Sequence, residues 1–161
     1  MERWVTNASP LICLGKAGYL DLLLQLPDEI VVPQAVVQEI EAGPAGDPAK
    51  QFIESGKLPV AEVSVLPEIL AWDLGKGESA VLSYALSNPG WTAIIDDLAA
   101  RKCAKSYAIP LRGRLAIIML AKKKDLIPSA KEGMLALQAA GLRLDDAVIR
   151  FALKQETGED W

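Results

Sequence analysis

The chain has 161 residues, 51% of them apolar and only 6% aromatic, which sizes it for a single domain with an Ala/Leu/Val/Ile-rich interior of the α/β kind. It contains no histidine. Ser-His-Asp and Cys-His nucleophiles and histidine-bearing zinc sites are therefore excluded, and any chemistry falls to carboxylates and a hard cation.

The net charge of −4 is unevenly spread. Nine of the 17 Lys and Arg residues lie between Arg101 and Lys131, where Asp125 is the sole acid, while residues 1–100 hold 14 acids against five bases. Such a distribution allows a basic face beside an acidic site. No apolar run approaches the roughly 18 residues of a membrane span. Glu2, Lys16 and Asp21 interrupt the first apolar stretch, so neither a signal peptide nor a lipidation signal is expected. Cys13 and Cys103 lie in apolar helical patterns without CxxC spacing. They read as reduced, buried thiols of a cytoplasmic protein.

In chain order, residues 3–7 predict a short strand that runs into "NASP". From Ser9 to about Leu26 the apolar spacing is helical, with Pro10 suited to a first turn and Gly15 to Gly18 marking a break. Ile30 to Val32 is a brief strand, followed by a helix that starts at Pro33 and ends at Gly43. "GPAGDPA" is a loop, and Asp47 caps the short helix after it. Residues 59–65 form a weaker strand candidate. "PEILAWDLGKGESAVLSYALSNPG" gives a short helix, a glycine turn and a longer helix from near Glu78. "WTAIID", 91–96, is the clearest strand, with Asp97 at the cap of the next helix. "IPLRG" closes the strands, and residues 114–155 give three helices separated by Pro128 and Gly141.

Strands alternating with helices predict a three-layer α/β/α architecture around a central, mainly parallel sheet. Residues 1–161 read as a single domain, with "ETGEDW", 156–161, a loose tail.

Four acids stand where chemistry is often found. Glu39 shares a helix with core-facing Val36, Val37 and Ile40; Glu78 opens a helix after Gly77; Asp96 and Asp97 follow the clearest strand. Acids on separate elements can meet if each stands at the same edge of the sheet, and Mg²⁺ or Mn²⁺ needs a few carboxylates, water and substrate phosphate. Each also has an ordinary reading: Glu39 as a solvated helix residue, Glu78 as a complement to the helix dipole, Asp97 as an N-cap. Asp96 is harder to explain structurally, because two adjacent carboxylates repel and one suffices as a cap. Asn7, at the end of the first strand, is either a helix cap or a ligand. "GKAG" and "LGKGES" are not phosphate loops, and "KKKD" at 122–125 suits a solvated helix end.

The ordered segments "TNASPLICLGKAGYLDLL", "IVVPQAVVQEI", "LGKGESAVLSYAL" and "AIIDDLAARKCAKSYAIPLRGRLAIIMLAKKKDLIPSAKEGMLAL" resemble PIN-domain proteins over nearly the whole chain. More narrowly, they are similar to the VapC-like subgroup of nucleic-acid-binding PIN-like proteins. The resemblance implies a parallel sheet flanked by helices, with acids at its C-terminal edge binding Mg²⁺ or Mn²⁺. It implies cleavage of single-stranded RNA, commonly by the toxin of a toxin–antitoxin pair. Glu39 then corresponds to the helix acid, Glu78 to the third acid, and Asp96–Asp97 to the acid motif after the next strand. Similar "TND" motifs favour Asp97 as the metal-binding member. Ser9 matches a small hydroxyl residue that supports the first acid.

Asn7 departs from the pattern, because the family generally has Asp there. An amide oxygen still ligates hard cations, but one negative charge fewer weakens metal binding. Arg101, Lys105, Arg112 and Arg114 are candidate contacts to the RNA backbone. A neutralising antitoxin and a homodimer are the expected partners. The amphipathic helices before Lys16 and after Lys131 are available for either contact. Two competing functions are a PIN-fold RNA- or protein-binding module without cleavage, and a receiver-like phospho-acceptor domain. The late position of the acidic pair argues against the second.

Overall fold

A computed structural model describes residues 1–161. Strand β1 (Arg3–Thr6) leads into α1 (Ala8–Ala17) and the single turn α2 (Leu22–Gln25). Next come β2 (Glu29–Pro33), α3 (Gln34–Glu41), α4 (Pro48–Glu54) and β3 (Val60–Ala61). The chain continues through α5 (Pro67–Leu70), α6 (Lys76–Ser87), β4 (Trp91–Ile94), α7 (Leu98–Ser106) and β5 (Leu111–Arg112). It ends in α8 (Arg114–Lys123), α9 (Ala130–Ala139) and α10 (Asp146–Thr157).

The sheet order is β3-β2-β1-β4-β5, with every neighbouring pair parallel. Trp4 pairs with Ile30 on one side and Thr92 on the other, and Thr6 with Ile94, which in turn pairs with Arg112. A strand covered on both faces buries side chains whichever way they point, and Trp4, Val5 and Thr6 of central β1 are fully buried, the Thr6 hydroxyl donating to Asn7 O at 3.2 Å. The chain winds outward from β1 to β3, then returns to place β4 on the other side of β1. Right-handed crossovers in opposite directions put the connecting helices on opposite faces. Helix α6 accordingly packs on β1, β2 and β4 with α5 and α7 beside it, while α1 packs with α4 and α9, and α9 with α8 and α10. Helix α3 touches both α1 and α6. The result is the three-layer α/β/α arrangement around a parallel sheet. One apolar cluster of 39 residues runs through it.

Several boundaries differ from the sequence reading. Strand β3 spans only Val60–Ala61. Past it the backbone turns away from the sheet, and the Leu66 amide donates to Ser83 Oγ on α6 at 3.1 Å. The break after α1 falls at Gly18, in the left-handed region at φ 82°, and Gly15 stays helical. A Cβ on Gly15 would stand 3.3 Å from the Ala49 amide and Pro48 of α4, so the missing side chain admits that helix.

The terminal stretch is not loose. Helix α10 continues to Thr157, Glu156 pairs with Lys123, and Glu159 accepts from Ser129 Oγ at 2.7 Å and from the Ala130 amide at 2.9 Å. Glu159 thereby caps α9 from the end of the chain, where a carboxylate satisfies otherwise orphaned amides. Cys13 and Cys103 are free and buried. No helix is long and apolar enough to cross a membrane.

Candidate functional site

Because all strands are parallel, their carboxyl ends share one edge. The strand order reverses between β1 and β4, and open α/β sheets bind ligands in the crevice at such a switch point. Asn7 directly follows β1, and its amide extends the ladder by donating to Ile94 O at 3.0 Å. It occupies the N-cap position of α1 with extended backbone (φ −85°, ψ 171°), yet its side chain makes no capping bond. Instead Nδ2 donates to Glu78 Oε1 at 3.3 Å. Asn7 is buried, and its Oδ1 has no partner. A buried amide oxygen without a donor carries a desolvation penalty.

Glu78 stands in the first turn of α6, whose N-cap is Gly75. Its carboxylate folds back over Gly75, within 3.4 Å of where a Cβ would stand, which explains the first glycine of "GKGE". The second has a different role. A Cβ on Gly77 would lie 3.1 Å from Asn7 Oδ1, 3.2 Å from Glu39 Oε2 and 3.4 Å from Val36. Three elements therefore converge on one space: the end of β1, the α3 helix and the start of α6.

Much of the Glu39 side chain is open to solvent, but its carboxyl end reaches this convergence. Burial there, reinforced by the charge of Glu78, pushes the Glu39 carboxyl above its ordinary value. Beside it opens a cavity of about 390 Å³ lined by Ala35, Gln38, Glu39, Lys76 and Gly77. Asn7, Glu39 and Glu78 thus form an oxygen-only, anionic donor set with one orphaned oxygen. That set suits a hard divalent cation.

Asp96 and Asp97 make their own contacts at the end of β4, and no group of three or more Asp, Glu or Cys residues is placed to hold a metal. Asp97 is exposed and caps α7, accepting from the Ala100 amide at 2.9 Å. Asp96 is half-buried against Arg114, with Oδ2 2.7 Å from Nε. Its two oxygens also accept from the Arg114 amide at 3.3 and 3.4 Å, across the start of α8. Ser9 is exposed on the first turn of α1, and its hydroxyl bonds to none of these groups.

The basic candidates are largely engaged. Arg112 pairs with Glu2 at 2.5 Å. Burial opposes ionisation of Glu2, but Arg112 and the Trp4 indole N–H outweigh it and hold the carboxyl below its usual range. Arg101 Nη1 donates to Ile95 O at 3.0 Å, and Lys105 is exposed. The sequence reading missed the Asp96–Arg114 pair, although the "RGR" that follows a short strand at the same sheet edge was its available signal. It also missed the close approach at Gly77, for which "GxGE" was the clue.

No curated protein matches the chain. A protein-family comparison matches residues 3–158 to the PIN domain, a family of typically hydrolytic nucleases that generally use divalent metal ions. The match spans almost the whole length and agrees with the parallel sheet and the acid-lined edge, so the chain belongs to the PIN-domain family.

Proposed function

We propose that this protein is a divalent-metal-dependent endoribonuclease that cleaves single-stranded RNA. The observation that carries the reading is the buried, unpartnered Asn7 Oδ1, which borders the same point beside Gly77 as Glu39 Oε2. Asn7, Glu39 and Glu78 would hold Mg²⁺ or Mn²⁺. When bound, such an ion supplies Lewis acidity toward a phosphodiester oxygen and lowers the pKa of a coordinated water. Mg²⁺ is commonly held by one or two carboxylates, with waters and substrate phosphate as its other ligands.

The chain's own residues have separate tasks. Glu78 orients the Asn7 amide through Nδ2, so that Oδ1 points away from Glu78. Gly77 keeps the shared space free of a side chain, and Lys76 at the cavity mouth offers a positive charge to an approaching phosphate. We extend the proposal to a toxin role of the VapC-like kind, in a cytoplasmic homodimer neutralised by an antitoxin.

The test is cleavage of a labelled single-stranded RNA pool with Mg²⁺ or Mn²⁺. Native protein should cut, and Glu39→Gln should lose at least 10²-fold in rate. Absence of cutting by clean native protein at every metal concentration refutes the nuclease reading. A second reading has its own support: the uncharged Asn7 leaves only two carboxylates at the site, as a non-cleaving RNA-binding module would. Cleavage that appears only in Asn7→Asp favours that alternative.

A further inference from the structure

The Asp96 carboxylate is paired with one cation and has a second nearby. Arg114 Nε lies 2.7 Å from Oδ2, with its N–H off the hydrogen-bond line, so the attraction is Coulombic. The Arg114 amide, at the start of α8, donates to both carboxylate oxygens. Arg101 is the second cation. Its Nη1 lies 3.2 Å from the position a Gly113 Cβ would take, and Asp96 Oδ1 borders the same point. Of the two adjacent carboxylates, Asp97 is taken up as the cap of α7, and Asp96 is compensated by the cations beside it. A carboxylate compensated in this way is a poor ligand for a divalent cation.

Arg114 also keeps donors in reserve. Its side chain is 18% exposed, Nε faces Asp96, and neither Nη group bonds to protein. Arg112 pairs with Ile94, which pairs with Thr6, so Arg114, Asp96 and Asn7 all follow in-register residues on one carboxyl edge. The guanidinium is therefore anchored by one nitrogen, along the same edge as Asn7.

We infer that Asp96 is a positioning residue rather than a metal ligand: it anchors Arg114 so that the guanidinium's Nη groups bind a backbone phosphate of single-stranded RNA. Asn7, Glu39 and Glu78 then hold the metal without Asp96, and the phosphate contact is metal-independent. The inference rests on the nucleic-acid reading above but not on cleavage.

Two measurements on the full-length protein test it. The first is Mn²⁺ affinity by calorimetry. Asp96→Asn should keep it within twofold of native, and Glu39→Gln should lose at least tenfold. The second is fluorescence anisotropy of a labelled 20-nucleotide oligouridylate in EDTA, over a salt series. Arg114→Ala should weaken binding about tenfold and make the slope of log K against log salt shallower by about 0.7, the value for one phosphate on a single strand. Asp96→Asn should weaken binding three- to tenfold, and Arg114→Lys should restore most of the slope but not all of the affinity.

Melting curves establish that each variant is folded, and Arg114→Gln replaces Arg114→Ala if the latter is not. A tenfold loss of Mn²⁺ affinity in folded Asp96→Asn overturns the inference. So does RNA binding in EDTA that is unchanged by loss of the Arg114 charge. Failure of cleavage with Arg114-dependent RNA binding intact sinks the nuclease reading alone.

Discussion

Asn7→Asp places a carboxylate where an amide now donates to Glu78 Oε1 at 3.3 Å. Two unit charges at that separation repel by about 1 kcal/mol in bulk water and about 5 kcal/mol at an effective dielectric of 20. Asn7 is buried, which favours the upper part of that range. Protonation sets a ceiling: holding an Asp of ordinary pKa neutral at pH 7 requires about 4 kcal/mol. The metal-free variant should therefore be destabilised by about 2–4 kcal/mol at pH 7. For a chain of this size that lowers Tm by roughly 4–16 °C. The deficit should shrink as pH falls toward 4, because one proton shared between the two carboxyls replaces the lost donor. Mn²⁺ should restore stability, by about 2.7 kcal/mol at a concentration one hundred times its Kd, and should raise Tm more in the variant than in the native protein. Scanning calorimetry in EDTA and across a Mn²⁺ series measures both effects. A variant that melts within 1 °C of native in EDTA at pH 7, with no larger Mn²⁺ response, refutes the placement of Asn7 against Glu78.

Other expectations follow from the same geometry. Gly77→Ala should leave stability within about 1 kcal/mol of native, since helix propensity offsets tight contacts; calorimetry should nevertheless find Mn²⁺ affinity at least tenfold weaker, because the methyl occupies the space shared by Asn7 and Glu39. Glu39 ionises with difficulty in the folded state, so its contribution to stability is full below the unfolded carboxyl value of about 4.3 and is lost as pH rises through the raised folded value. Metal-free Glu39→Gln should thus melt higher than native at pH 7, with the gain vanishing toward pH 4. Glu159 has the opposite sign: burial opposes its ionisation, but bonds from Ser129, Ala130, Thr157 and Lys131 prevail and hold the carboxyl low. Its stabilisation is present above the unfolded value and lost as pH falls through the lowered one, and Glu159→Ala should lose about 1 kcal/mol at pH 7, as removal of a helix cap does.

The elements most legible in the sequence were those fixed by local chemistry. The buried β1 and β4 read as strands because both faces demand apolar side chains. Asp47 and Asp97 read as caps because their spacing to the next amides is local, and both do cap. The candidate acids stand out by their places on helices and after a strand and by the resemblance to PIN-domain proteins, whereas their division into a converging set and a separate ion pair does not. That division depends on Arg114 reaching back 18 residues to Asp96, and on α3 and α6 meeting across the end of β1. Such contacts are set by tertiary packing. Glu159 is a similar case. Nothing near it in sequence marks it as a cap, because the helix it caps begins 29 residues earlier.

The central position of β1 also has a consequence for how the protein is made. Trp4 pairs with Thr92, so β1 waits about 90 residues of synthesis for this neighbour. At synthesis rates of about 5–20 residues per second, that interval is roughly 5–20 s. During it, one edge of β1 is uncovered while Trp4, Val5 and Thr6 await burial, and strand edges in that state invite pairing with other chains. Asn7 likewise meets Glu78 only after the first half of the chain has emerged. Nascent chains shorter than this lack the oxygen cluster altogether, and when Glu78 emerges only three of the five strands have been made.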